Sequence, residues 1–215
     1  MEASDTRALR RDGARSRWGE NAEIKEVILD HAEAYIRRVG HRKTNVGDIA
    51  DNLGMSRANI YRFFPTRAAI DHSVFARIAD DTVSALTHIA EGPCPAPERL
   101  VSVLEVAHLQ VRETFVNAPN IHALSVAAHL ENWAVTRVYL QRVTAILEKL
   151  ILEIKEASKL SIDGSGGSGE TAHAVLNSMN SFLHPVLVEL RLKNQNDSDS
   201  ELRFQIGFVL CALRV

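Results

Sequence analysis

The sequence predicts an all-α protein of about nine helices. Apolar residues recur at helical spacing from Trp18 almost to the end, and nothing alternates with period two over a strand's length. The breaks between periodic segments are rich in Gly, Pro or Asn, and no segment repeats. With 215 residues, 46% hydrophobic and 24% charged, the chain has a globular balance and can build one large core or two small ones. Wholesale disorder and a fibrous repeat are excluded. Its apolar runs fall far short of the roughly 20 residues that span a bilayer. The arginine-bearing start lacks the apolar stretch of a signal peptide. Cys94 and Cys211 form no CxxC pair. The expectation is a cytoplasmic protein with no membrane segment and no disulfide framework.

Residues 1–17 carry Arg7, Arg10, Arg11, Arg15 and Arg17 with little to bury, and read as a flexible arm. The first helix carries the stripe Ile24, Val27, Ile28, Ala32, Tyr35, Ile36, Val39 and stops at Gly40. Two short helices follow, then a long one from about Thr66 to Glu91. The stretch Gly92–Pro97 breaks the chain and leaves Pro97 in the first turn of the next helix, which carries Leu100 to Phe115. A short helix near Ile121–His129 and a longer one to about Ala157 precede the linker Ser161–Gly169. Two helices close the chain, about 172–192 and 200–214, with a kink expected at Pro185.

The net charge of −2 hides an asymmetry. Residues 1–67 hold 13 basic against 10 acidic side chains, and the remainder 12 against 17. A basic front on an acidic body suggests that one end meets a polyanion. Within it, Thr44 reads as the N-cap of a helix bearing Val46, Ile49, Ala50 and Leu53, and Gly54 permits a sharp turn. Ser56 caps a second helix, Arg57 to Phe64, ended by Pro65. Ile60 and Phe64 face inward with Met55, leaving Arg57, Ala58, Asn59, Tyr61 and Arg62 outside. Two short helices about a glycine turn, the second with that outer face, fit a helix-turn-helix entering a major groove. Arg and Tyr reach phosphates, Asn reads adenine edges, and Ala lets the backbone approach.

The run from Ile28 to Ile70 resembles the N-terminal domain of TetR-type transcriptional regulators. The matching positions are Gly40, Thr44, Asp48-Ile49-Ala50, Gly54, Ser56, Ile60, Tyr61, Phe63-Phe64 and Thr66-Arg67. The resemblance covers about 24–75. It implies a DNA-binding domain over 18–67 and an effector-binding and dimerisation domain over 68–215. It further implies that Arg57, Tyr61 and Arg67 hold phosphates while Ala58 and Asn59 face bases, with Thr44 and Arg62 beside them. It implies a homodimer on a pseudo-palindromic operator, its recognition helices about 34–36 Å apart. The expected dimer contact is the last two helices, with Leu176, Met179, Leu183, Ile206, Val209 and Leu213 as the long apolar residues. A small, largely apolar effector would bind behind the DNA-binding domain and act through the fourth helix.

Candidates for that effector site are His108 and Arg112, one turn apart beside Val111 and Phe115, with Phe182 and His184 at the expected kink and Trp133. Each also has a reading as surface or core. The nine histidines contain no HxH or HxxxH pair, and only His122 and His129 share a helical face, so neither a metal nor another cofactor is expected. No G-x-S-x-G or phosphate-cradling loop supports an enzyme. The arginine-rich arm has two readings, a minor-groove contact or a solvated leader. The overall expectation is a ligand-responsive repressor. The alternative is a ligand-independent architectural or protein-binding helical protein, separable by footprinting.

Overall fold

The computed structural model describes residues 5–158, 167–194 and 199–215, with side chains from residue 21 onward, Ser158 excepted. Among the described residues there are eleven helices and no strand: α1 (Asp5–Val39), α2 (Val46–Leu53), α3 (Arg57–Phe63), α4 (Arg67–Ala90), α5 (Ala96–Asn117), α6 (Pro119–Leu130), α7 (Ala134–Ser158), α8 (Ser168–Ser178), α9 (Asn180–Leu183), α10 (Pro185–Lys193) and α11 (Asp199–Leu213). The side chains of the expected arginine-rich arm and most of the expected linker at 161–169 lie outside the described residues. The chain divides into two compact units, 1–74 and 75–215, and the division falls inside α4.

In the first unit the predicted stripe of α1 is buried at Ile28, Ala32 and Ile36, with Leu29, which the stripe did not include, buried beside them and Val27, which it did, 44% exposed. Val46, Ile49 and Ala50 of α2, Ile60 of α3, Phe64, and Ile70 and Val74 of α4 are buried with them. The Lys25 ammonium lies 5.7 Å from the Phe64 ring centroid, joining α1 to the end of α3.

The second unit has one continuous core drawn from α4, α5, α7, α8, α9 and α11, including Leu86, Leu100, Leu104, Leu147, Leu150 and Ile154. Pro97 sits in the first turn of α5, as expected. Arg99 ties the proline-rich break down: its Nε donates to the Cys94 carbonyl at 2.8 Å, and its other nitrogens reach the Ala90 carbonyl at the end of α4 and Glu153 of α7.

The count of nine helices is corrected to eleven because the stretch expected as one helix over 172–192 is broken twice. His184 precedes Pro185, whose ring disfavours the helical region for the residue before it, and His184 adopts φ −79°, ψ 124°. The expected kink is thus a full break. It strips the Phe182 carbonyl of a helical donor, and the buried His108 replaces it, its Nδ1–H donating at 2.8 Å. The second break, at Met179, has no Gly or Pro to announce it.

Of the residues expected at the dimer contact, Met179, Ile206, Val209 and Leu213 are at most 5% exposed and belong to the chain's own core, with Leu176 and Leu183 packed against it. The α11 helix is apolar on two sides. Leu202, Ile206, Val209 and Leu213 form the buried stripe. Phe204 and Phe208 form an outer stripe and are 78% and 61% exposed, and Val215, after the left-handed Arg214 beyond the helix end, is 45% exposed.

Candidate nucleic-acid interface and ligand site

The helix pair α2–α3 is fixed by local chemistry. Asn45, not Thr44, is the N-cap of α2: its Oδ1 accepts from the Asp48 N–H at 2.9 Å, and the Asp48 carboxylate accepts from the Asn45 backbone N–H. Asn45 and Asp48 thus form a complete capping box. Thr44 is buried, and its hydroxyl donates to the Gly40 carbonyl at 2.9 Å. At the other end Gly54 takes φ 62°, and the Met55 N–H returns to the Ala50 carbonyl at 2.9 Å. Ser56 caps α3 by accepting from the Asn59 N–H at 3.2 Å, as the sequence predicts.

The outer face of α3 then presents Arg57, Ala58, Tyr61 and Arg62 to solvent, with Asn59 half-buried. The Arg62 guanidinium donates to Asn59 Oδ1 at 3.4 Å. Arg57 folds against α2 where it finds a glycine. A Cβ added to Gly47 would lie 2.5 Å from Arg57 Nη2, so the glycine leaves room for the guanidinium. Arg67 makes three contacts within the chain. Its Nε donates to the Thr44 carbonyl at 2.9 Å, one Nη to the His41 carbonyl at 2.5 Å, and the other pairs with Asp71 at 2.5 Å. This arginine stitches the α1–α2 connection to α4. Burial raises the Asp71 pKa, with Arg67 pulling the other way.

In the second unit two adjoining cavities share Ala107, Val111, His129, Tyr139 and Leu183 as walls. The first, about 70 Å³, is further lined from α4 by Phe75, Ile78 and Thr82, and from α5 and α6 by Gln110 and His122. The second, about 120 Å³, reaches Leu176, Asn180 and His184. The lining is mainly apolar with a few polar groups, the pattern of a small-molecule site. Burial depresses the pKa of His122, His129 and His184, and so favours neutral rings. Burial pushes the Tyr139 hydroxyl up to about 12.

The family model described as bacterial regulatory proteins, tetR family, matches residues 28–73. The tetracyclin repressor-like C-terminal domain model matches residues 96–202. The chain belongs to the TetR family. It is a DNA-binding transcriptional regulator. Comparison with curated proteins gave no match. Among solved structures, the fatty acid degradation regulator FadR of Bacillus halodurans is 16% identical over 86% of this chain and 97% of its own, with a TM-score of 0.60. A TetR/AcrR-family regulator of Thermobifida fusca YX-ER1 is 19% identical over 87% and 97%, also at 0.60. FadR of Bacillus subtilis, in complex with stearoyl-CoA, is 18% identical over 87% and 96%, at 0.56. At these identities the likeness is one of fold.

Within this TetR-family fold, His184 is the one expected effector residue that lines either of the two cavities described. His108 holds the Phe182 carbonyl, and the two rings meet edge to face. Phe182 also carries the Arg191 guanidinium on its face, 4.3 Å from the centroid. Arg112 pairs with Asp199 at 3.4 Å near the surface. Phe115 backs His122 edge to face at 5.0 Å. Trp133 donates to Glu131 at 2.8 Å and abuts Phe75. Gln110, His122, His129 and Tyr139 were missed as wall residues. The signal that could have found two of them is the shared helical face of His122 and His129, seven residues apart, read above only as a poor metal pair.

Proposed function

We propose that the protein is a ligand-responsive repressor that binds a pseudo-palindromic operator as a homodimer. The observation that carries the DNA reading is the capped α3, whose outer face offers Arg57, Tyr61 and Arg62 around Ala58 and Asn59. Arg57, Tyr61 and Arg62 anchor phosphates, and Ala58 and Asn59 meet base edges. Arg67 fastens the Thr44 and His41 carbonyls, just before α2, to the start of α4.

The dimer forms through the outer stripe of α11, because a helix apolar on two sides requires cover on both. Phe204, Phe208 and Val215 supply the contact in place of the residues first expected. A two-fold pairing of this stripe sets two α3 helices on one operator.

A small, largely apolar effector occupies the cavities of the second unit. One neighbour of this fold holds stearoyl-CoA, but the two cavities here suit a compact molecule. The α4 helix follows α3 in the chain and supplies Phe75, Ile78, Ala79 and Thr82 to the first cavity. A ligand there therefore acts on the helix that leads from the DNA reader. Its effect is limited to its preference between two states, typically about 1–3 kcal/mol. Among the described residues no helix is long and apolar enough to cross a membrane, and the protein works in the cytoplasm beside its DNA.

Footprinting of the full chain on the DNA flanking its own gene tests this reading. A protected pseudo-palindrome is expected. Uniform protection without a boundary would favour the ligand-independent architectural alternative.

A further inference from the structure

The wall of the first cavity has used most of its donors and left acceptors open. Thr82, Thr114 and Ser125 donate their hydroxyl protons to the carbonyls of Ile78, Gln110 and Ile121 on their own helices. His129 Nδ1 lies 2.8 Å from the Ser125 carbonyl, which can only accept, so Nδ1 carries the proton and Nε2 of the neutral ring keeps a lone pair.

His122 is deeper, only 3% exposed. Its Nε2 faces the Glu189 carboxylate at 3.0 Å, which places the proton there. The remaining nitrogen, Nδ1, is buried and has no hydrogen-bond partner among the described residues. Gln110 Oε1 is in the same condition. Burial holds the His122 and His129 pKa values below the ordinary histidine value, Glu189 opposing it at His122, and neutral rings agree with the geometry. The Gln110 amide and the Tyr139 hydroxyl can give or take a hydrogen bond. No Lys or Arg lines either cavity.

We propose that this cavity selects an uncharged, largely apolar molecule carrying an O–H or N–H donor, which His122 Nδ1 or Gln110 Oε1 accepts. The inference rests on the reading of the cavity as the effector site. Its physical basis is that a buried acceptor without a donor is costly, so a ligand that supplies one is preferred over an isostere that cannot. A carboxylate ligand would meet lone pairs on a wall with no cation.

The test uses the full chain and four para-substituted ethylbenzenes: 4-ethylphenol, 4-ethylaniline, 4-ethylanisole and 4-ethylbenzoate, each followed by calorimetric titration and by its effect on operator binding. The phenol and the aniline are expected to bind at least about tenfold more tightly than the anisole, with the benzoate weakest. Gln110→Leu, at a half-buried position, and His122→Phe each remove one acceptor while keeping the wall apolar. At least one of them is expected to bring the phenol-to-anisole ratio towards one. Anisole or benzoate binding as tightly as the phenol overturns the donor inference and leaves the cavity a ligand site. An unchanged phenol preference in both variants, folded by circular dichroism, also overturns it. If none of the four binds at millimolar concentration or alters operator affinity, the effector-site reading falls and takes the inference with it.

Discussion

Adjacent residues of α11 are expected to fail in opposite ways when given a charge. Phe208 is 61% exposed and belongs to the outer stripe, whereas Val209 is 3% exposed and belongs to the core. Full burial of a phenylalanine side chain contributes about 1.5–3 kcal/mol. Scaled by the exposed fraction, covering Phe208 contributes about 1–2 kcal/mol, and two-fold symmetry counts it twice. Phe208→Asp therefore removes about 2–4 kcal/mol of association and adds two carboxylates to a surface that should be dry. The dimer dissociation constant should rise at least about 30-fold, with the melting temperature of the protomer's own core little changed at concentrations where both proteins are monomeric. Val209→Asp instead places an unpaired carboxylate inside the core, a loss of several kcal/mol of folding stability. Sedimentation velocity across a concentration series, paired with circular dichroism melts, separates the two. A Phe208→Asp dimer as tight as wild type, beside a Val209→Asp protein that is folded and monomeric, would refute the assignment of the two faces.

Arg67→Ala should lower the melting temperature, since it frees the Thr44 and His41 carbonyls and leaves Asp71 without its cation, yet leave the salt dependence of DNA binding unaltered. A flattened salt slope would restore Arg67 as a phosphate contact. His108→Leu orphans the buried Phe182 carbonyl and should cost about 1–3 kcal/mol in urea denaturation; a change within a few tenths would mean that water replaces the imidazole. Stability should also fall with acid. The depressed pKa values of His122, His129 and His184 mean that below about 6.5 the unfolded chain binds protons the fold resists. Their contribution is complete above that pH and is lost as pH drops towards the folded values, and Glu189, shifted down from 4.5 chiefly by Lys193, adds a contribution that is likewise lost in acid. Melting temperatures at pH 7.5 and 5.5 check this, and a flat profile would contradict it.

The DNA-reading helix pair was legible because its determinants are local. Gly54, Ser56 and the inward pair Ile60 and Phe64 sit within a few residues of one another, and each acts as its type predicts. The cap of α2 was misplaced by one residue. Thr44 and Asn45 can both cap, and Asn45 is the one three residues before Asp48, whose carboxylate closes the capping box, while the Thr44 hydroxyl donates to the Gly40 carbonyl. Which side of α11 meets the core was not legible, because the helix carries apolar residues on a second side, Phe204 and Phe208, and periodicity alone does not choose between the two. The cavity was least legible. Its walls come from α4, α5, α6, α7 and the break before Pro185, and no single segment displays their convergence. His108 and Phe182 looked like a polar and an aromatic lining, but the break couples them to each other.

The central claim is that the outer face of α3 reads DNA, and the most direct measurement is operator and random-DNA affinity as a function of salt for wild type, Arg57→Ala, Tyr61→Ala and Asn59→Ala. Arg57→Ala and Tyr61→Ala should each weaken binding to all sequences, and Arg57→Ala should reduce the salt slope by about one. Asn59→Ala should keep the slope and relax preference at a single base pair per half-site, at a cost of about 1–3 kcal/mol. If operator affinity and its salt dependence survive both Arg57→Ala and Tyr61→Ala, α3 does not enter the groove and the account of this protein's DNA recognition is wrong.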